Sequence, residues 1–136
     1  MNGAAAPADT AILVGRSVLV VEDDALIAMV LEDVLAEAGM RLAGSAQSVD
    51  EALAQLADRQ PDMAVLDASL DGQTCDKVAD MLQLRGVPFI LATGHAEADM
   101  QARFPGVPIL RKPYHQDELL SALVTLLIAP DGSSRR

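Results

Sequence analysis

Short runs of apolar residues alternate along the chain with longer segments in which apolar residues recur at the helical spacing of three and four. The short runs predict strands, and they are SVLVV, RLAGSA, DMAVLD, VPFILAT and VPILRK. The longer segments predict helices at ALIAMVLEDVLAEAG, at SVDEALAQLADR, across 73–85, near 97–103 and at DELLSALVTLLIA. Five strands and five helices are therefore expected to alternate.

The predicted strands are apolar on both faces, which is typical of a parallel sheet that helices cover on its two sides. The sequence thus predicts an α/β fold with a doubly wound sheet. A length of 136 residues suits one domain. Residues 1–15 are rich in Ala, Pro and Gly and residues 130–136 are small or polar, so we expect a tail at each end and a domain over 16–129.

Composition and charge narrow the kinds of ligand that the chain can bind. Twenty acidic and ten basic residues give a formal net charge of -10, which repels nucleic acid and anionic lipid. Three aromatic residues are too few to form a stacking surface for bases. The single Cys75 cannot form an internal disulfide, and the sequence has no signal-peptide pattern or membrane-spanning run. We therefore expect a cytoplasmic protein.

Polar side chains stand at the ends of four predicted strands. They are Glu22, Asp23 and Asp24 after the first strand, Asp67 at the end of the third, Thr93 at the end of the fourth and Lys112 at the end of the fifth. Parallel strands bring their carboxyl ends to one edge of the sheet, where such sheets bind ligands, so we expect these side chains to converge. Clustered carboxylates suit Mg²⁺, a cation that prefers oxygen ligands. Taken singly, each residue also suits a turn or a helix cap, as Asp24 does before the first helix.

The segments VLVVEDD, VLD, LATG and LRKP, in this order and at these spacings, resemble the receiver domain of two-component response regulators. The resemblance covers about 16–129 and implies a flavodoxin-like sheet with strand order 2-1-3-4-5. It implies a phosphoacceptor at Asp67 and magnesium-binding acids at Glu22 and Asp23. It further implies that the backbone carbonyl of Ser69 binds the metal, and that Thr93 and Lys112 each bind a phosphoryl oxygen.

Two positions depart from the pattern of that family. Asp71 stands where the family usually has proline, and Ile109 stands where it usually has an aromatic residue before the lysine. The segment PFILATGH and the short fourth helix are similar to the single-domain FATGUY receivers of alphaproteobacteria, although Leu91 replaces the phenylalanine of that group.

The resemblance implies a stand-alone receiver that accepts a phosphoryl group from a histidine kinase or a histidine phosphotransfer protein. It would catalyse only its own phosphorylation and dephosphorylation, and it would signal in trans as a phosphorelay shuttle, a sink or a binding regulator of an unknown downstream protein. Two alternatives remain at this point. One is a magnesium-dependent phosphatase with an aspartyl nucleophile, although the second Asp usual there is replaced by Ser69. The other is a receiver-like interaction module that is never phosphorylated.

The first helix is predicted to dock the kinase. Helical spacing predicts a core-facing stripe of Leu26, Ile27, Val30, Leu31, Val34 and Leu35. Ala25, Ala28 and Met29 would then face outward beside the strand ends.

Overall fold

The computed structural model of the chain describes residues 10–70, 72–94 and 101–128. Its strands are β1 (Ser17–Val21), β2 (Arg41–Ala46), β3 (Met63–Asp67), β4 (Ser69–Leu70), β5 (Gln73–Thr74), β6 (Phe89–Thr93) and β7 (Ile109–Arg111). Its α-helices are α1 (Ala25–Glu37), α2 (Val49–Asp58), α3 (Asp76–Leu84) and α4 (Gln116–Ile128), and Thr10–Leu13 form a 3-10 helix. Residues 101–103 are also helical and match the end of the helix predicted near 97–103, of which 97–100 lie outside the described residues. None of these helices is long and apolar enough to cross a membrane.

Five of the strands form one parallel sheet in the order β2-β1-β3-β6-β7. Counted among these five alone, the order is 2-1-3-4-5, so the predicted flavodoxin-like, doubly wound topology is confirmed. The order reverses at β1, and this reversal places the carboxyl ends of β1 and β3 side by side at the switch point of the sheet.

The sheet separates two apolar clusters, because successive side chains of a strand point to opposite faces. In β1, Leu19 and Val21 pack with helices α2 and α3, whereas Val18 and Val20 pack with α1 and α4. Strands β1, β3 and β6 are buried along their whole length. This two-sided burial explains why their sequences read as continuous apolar runs.

The folded part of the chain begins before the predicted boundary at residue 16. Leu13 in the 3-10 helix has no exposed surface and belongs to the same cluster as Leu35 and Leu123, and Ile12 packs against that cluster. Leu13 is therefore buried against α1 and α4, and Ile12 is partly buried beside it.

The face that helix α1 presents to the core overlaps only in part with the predicted one. Its buried residues are Ala28, Leu31 and Leu35, whereas Leu26 and Val30 are 74% and 62% exposed. The prediction is confirmed for Leu31 and Leu35 and wrong for Leu26 and Val30. It is also wrong for Ala28, which was expected to face outward. Apolar residues lie almost all round this helix, so the period alone does not select one face. Met29 is exposed, as predicted.

Candidate functional site

The carboxyl ends of β1, β3, β6 and β7 bring the predicted polar side chains together. They border a pocket of about 250 Å³ that is lined by Asp23, Asp67, Ala68, Ser69, Thr93, Gly94 and Lys112. The backbone N–H of Lys112 donates to the carbonyl of Thr93 at 2.7 Å, which ties the chain after β7 to the end of β6. Glu22 lies next to the pocket and is only 2% exposed.

Of the three acidic residues after β1, Asp24 is the one that caps a helix. Its Oδ1 accepts hydrogen bonds from the backbone N–H groups of Leu26 and Ile27 at 2.9 and 3.2 Å, at the start of α1. Its own N–H donates to Oε2 of Glu22 at 3.1 Å. Asp24 therefore fixes the turn that carries Glu22 and Asp23.

Glu22, Asp23 and Asp67 form a carboxylate cluster. One oxygen from each side chain lies within 4.8 Å of the others. Glu22 and Asp67 are buried, and Asp23 is exposed at the mouth of the pocket. Three converging carboxylate oxygens with an opening to solvent suit Mg²⁺, which binds one or two carboxylates and retains water or phosphate oxygens at its other positions. The donor set therefore fits this cation.

Lys112 supplies the positive charge next to this cluster. Its Nζ lies 3.0 Å from Oδ2 of Asp67 and 3.5 Å from Oε1 of Glu22. Partial burial alone would lower the pKa of Lys112, but the hydrogen bond and charge of Asp67 and the charge of Glu22 outweigh burial, so this pKa is raised. Lys112 is thus held in its charged form at neutral pH.

Burial raises the pKa of the carboxylic acid Glu22, whereas it lowers the pKa of a lysine. It raises the pKa of Glu22 from 4.5 to about 7, and the nearby charge of Asp67 adds to this, while the hydrogen bond from Asp24 and the charge of Lys112 oppose it. Without a cation, the three carboxylates share one ammonium group. The pocket therefore carries excess negative charge that a bound cation would relieve.

Both oxygens of Asp67 have defined hydrogen-bond donors. Oδ1 accepts from the backbone N–H of Ser69 at 3.1 Å, and Oδ2 accepts from Lys112. Thr93, which ends the neighbouring strand β6, is 1% exposed and lines the same pocket. The structure thus brings together all six predicted site residues, namely Glu22, Asp23, Asp67, Ser69, Thr93 and Lys112.

The segment after Asp67 differs from the prediction. Residues 73–74 were expected at the start of a helix, but they form strand β5, which pairs with β4 in a small antiparallel hairpin, and α3 begins only at Asp76. The sequence does hold a signal for this hairpin, the pair Asp71-Gly72, since Asp-Gly is a frequent two-residue hairpin turn. Asp71 itself, the residue at the usual proline position, lies outside the described residues.

Comparison with known proteins agrees with this fold. Residues 18–124 match the response regulator receiver domain. The transcriptional regulatory protein PdtaR of Mycobacterium tuberculosis is 32% identical over 129 residues, which cover 90% of this chain and 61% of PdtaR. The solution structure of SdrG from Sphingomonas melonis has a TM-score of 0.73 and 38% identity, covering 84% of this chain and 98% of SdrG. The crystal structure of the response regulator PhyR from Brucella abortus has a TM-score of 0.82 and 25% identity, covering 96% of this chain and 55% of PhyR.

A five-stranded 2-1-3-4-5 sheet with an acidic pocket and a lysine at its carboxyl edge defines a receiver of two-component signalling. The chain belongs to the response regulator receiver domain family. It spans between half and two thirds of the length of PdtaR and of PhyR.

Proposed function

We propose that the protein accepts a phosphoryl group on Asp67 from the phosphohistidine of a histidine kinase or a histidine phosphotransfer protein. The observation that carries this proposal is the position of Asp67, with its carboxylate in the pocket, 3.0 Å from Lys112 and grouped with two further carboxylates. In the transfer, an oxygen of ionised Asp67 forms a bond to phosphorus while the bond between phosphorus and the histidine nitrogen breaks. The displaced imidazole leaves with that electron pair.

The carboxylates of Glu22, Asp23 and Asp67 and the carbonyl of Ser69 would hold Mg²⁺. When bound, this cation supplies positive charge that offsets the carboxylates and the incoming phosphoryl oxygens. Lys112 adds a second positive charge, because its ammonium group already lies at hydrogen-bond distance from Asp67 and can pass to a phosphoryl oxygen on that residue.

Thr93 is proposed to report the modification. Thr93 is buried at the end of β6 and borders the pocket, and its hydroxyl would donate to a phosphoryl oxygen on Asp67. Ile109, the residue at the usual aromatic position, lies in β7 and is only partly buried. It has no ring to rotate, so we propose that the signal passes through the backbone that follows Thr93.

Helix α1 is proposed as the docking surface for the phosphoryl donor. It starts next to the pocket, and Leu26, Met29 and Val30 on it are 74%, 58% and 62% exposed. Exposed apolar side chains in a group of this kind mark interaction sites. Asp33 and Glu37 lie exposed on the same helix, so a partner helix with apolar residues flanked by basic ones would complement it.

We propose that the protein is not an enzyme acting on other molecules. The protein would catalyse its own phosphorylation and dephosphorylation in the cytoplasm, and its output would be a changed surface that acts as a phosphorelay shuttle, a sink or a regulator of a bound protein. Ser69, two residues after Asp67, is not the second acid that an aspartyl phosphatase uses, and this favours the receiver function over the phosphatase.

Phosphotransfer from a panel of histidine kinases tests this function. The purified protein should take up label from one or a few kinases, and Asp67→Asn should take up none. Asp62→Asn is the matched control, because Asp62 stands just before the same strand β3, where it hydrogen-bonds Ser17 rather than the pocket residues, and its labelling should equal that of the wild type. Equal labelling of Asp67→Asn and the wild type would refute the proposal.

A further inference from the structure

Ser69 stands in the small hairpin that directly follows Asp67. Strand β4 pairs antiparallel with β5, with Leu70 opposite Gln73 and Ser69 opposite Thr74. One step further from the turn, the N–H of Cys75 donates to the carbonyl of Ala68 at 3.2 Å. The paired segment thus starts immediately after the candidate phosphoacceptor.

The register of this hairpin decides where the backbone of Ser69 points. In an antiparallel pair, opposite residues alternate between those that exchange both backbone hydrogen bonds and those that exchange none. Ala68 and Cys75 are hydrogen-bonded, so by this alternation Leu70 and Gln73, two positions nearer the turn, belong to the bonded pairs as well. Ser69 and Thr74 between them form the pair without hydrogen bonds, so the N–H and C=O of Ser69 both point away from β5.

The side of Ser69 that faces away from β5 is the side on which the carboxylate cluster lies. The N–H of Ser69 donates to Oδ1 of Asp67 at 3.1 Å. In a strand, the N–H and C=O of one residue lie on the same side, as the double exchange within bonded pairs requires. The carbonyl of Ser69 is therefore presented on the side of the carboxylate cluster, and the pairing between the described residues of β4 and β5 does not use it.

Two features hold the hairpin in this register. Leu70 is 1% exposed and packs in the core cluster with Cys75, which anchors both strands. Gly72 in the turn has a φ of +82°, a conformation that residues with a Cβ rarely adopt. A Cβ at Gly72 would meet no atom within 4 Å. The requirement for glycine here is therefore conformational and not steric.

We propose that Gly72 is a positioning residue for the cation site, because its left-handed backbone closes the hairpin in the register that directs the Ser69 carbonyl toward Asp67. This inference rests on the proposed function, which supplies the Mg²⁺ ion. It adds that the hairpin closed by Gly72 orients one of the ligands of that ion, the Ser69 carbonyl. A slip of one residue would move Ser69 into a bonded pair and turn its carbonyl toward β5. A residue that disfavours the turn should therefore weaken cation binding.

Gly72→Ala compared with Gly86→Ala tests this proposal. Gly86 follows α3, has a φ of +72° and also has no atom within 4 Å of a built Cβ, so alanine introduces the same kind of backbone strain away from the pocket. Binding of Mg²⁺ to the unphosphorylated protein is measured by titration calorimetry, and the urea midpoint is measured in EDTA. We expect similar drops in the midpoint for both variants. The Kd for Mg²⁺ should rise about five- to tenfold in Gly72→Ala, with tenfold equal to about 1.4 kcal/mol, and less than twofold in Gly86→Ala.

The variant Gly72→Asn should restore Mg²⁺ binding, and it also tests the proposal if Gly72→Ala does not fold. Because asparagine enters the left-handed region more readily than alanine, Gly72→Asn should bind Mg²⁺ within about threefold of the wild type. Wild-type affinity in Gly72→Ala, equal weakening in both alanine variants, or a Gly72→Asn affinity no better than that of a folded Gly72→Ala would overturn the inference and leave the proposed function standing. Absence of both Mg²⁺ binding and phosphorylation in the wild type would overturn the proposed function together with the inference.

Discussion

The buried acid Glu22 should make the metal-free protein less stable as the pH rises, and Glu22→Gln should remove this effect. In the folded protein the pKa of Glu22 is raised to about 7, chiefly because burial disfavours its charge. The folded protein therefore holds this proton more tightly than the unfolded chain does. By linkage, the stability that depends on this group is full below pH 4.5, falls as the pH rises toward 7, and is lost above that pH.

The size of the effect follows from the two pKa values. A tenfold change in proton affinity corresponds to about 1.4 kcal/mol, so a change in the pKa from 4.5 to about 7 sets an upper bound of about 3 to 4 kcal/mol on the contribution to the free energy of unfolding. Glutamine has nearly the same shape, can accept the hydrogen bond from Asp24, and carries no charge. Glu22→Gln should therefore lack the part of the pH dependence of stability that arises from titration of Glu22.

Urea denaturation in EDTA at pH 5 and pH 8 measures the effect. Other groups also titrate in this range, so the quantity of interest is the change in unfolding free energy between the two pH values, compared between variants. The wild type should lose about 1–3 kcal/mol more than Glu22→Gln. Glu37→Gln, the same substitution on the exposed part of α1, should behave as the wild type does. An identical pH dependence in the wild type and Glu22→Gln would refute the reasoning about burial.

Three further predictions concern the metal, the partner and the N-terminal 3-10 helix. At about 100 times its Kd, Mg²⁺ should stabilise the wild type by about 2.7 kcal/mol, seen as a rise in Tm, and Asp23→Ala should lose this rise; an equal rise would place the metal elsewhere. Met29→Glu should slow phosphotransfer from the kinase but not from acetyl phosphate, and equal slowing of both would argue against docking at α1. Leu13→Ala should cost about 2–4 kcal/mol of stability by urea denaturation, whereas Val14→Ala at the adjacent exposed position should cost under about 0.5 kcal/mol, and similar losses would contradict the packing of this helix.

The sheet could be predicted from the sequence because its strands are buried on both faces. Runs such as the one in β3 have no polar residue until Asp67, and a run of this kind fits few other structures. The site could be predicted for a related reason, since a parallel sheet brings all strand ends to one edge, whatever the details of packing. Thr93 and Lys112 are distant from Asp67 in sequence and adjacent to it in the fold.

Other features depend on packing that the apolar pattern does not encode. The pattern in α1 allows several faces, and the small Ala28 is buried in preference to Leu26. The burial of Leu13 depends on the space between α1 and α4, which becomes defined only when the whole domain is assembled. The raised pKa of Glu22 likewise arises from burial beside Asp67, a property of the folded pocket.

The central claim is that Asp67 is the residue that carries the phosphoryl group, and locating the modification tests it most directly. The protein is incubated with acetyl phosphate and Mg²⁺, reduced with borohydride to convert the acyl phosphate to a stable alcohol, digested and sequenced by mass spectrometry. The account predicts that residue 67 alone is converted to homoserine, and that EDTA prevents the conversion. Conversion at another acidic residue, with Asp67 unmodified, would contradict it.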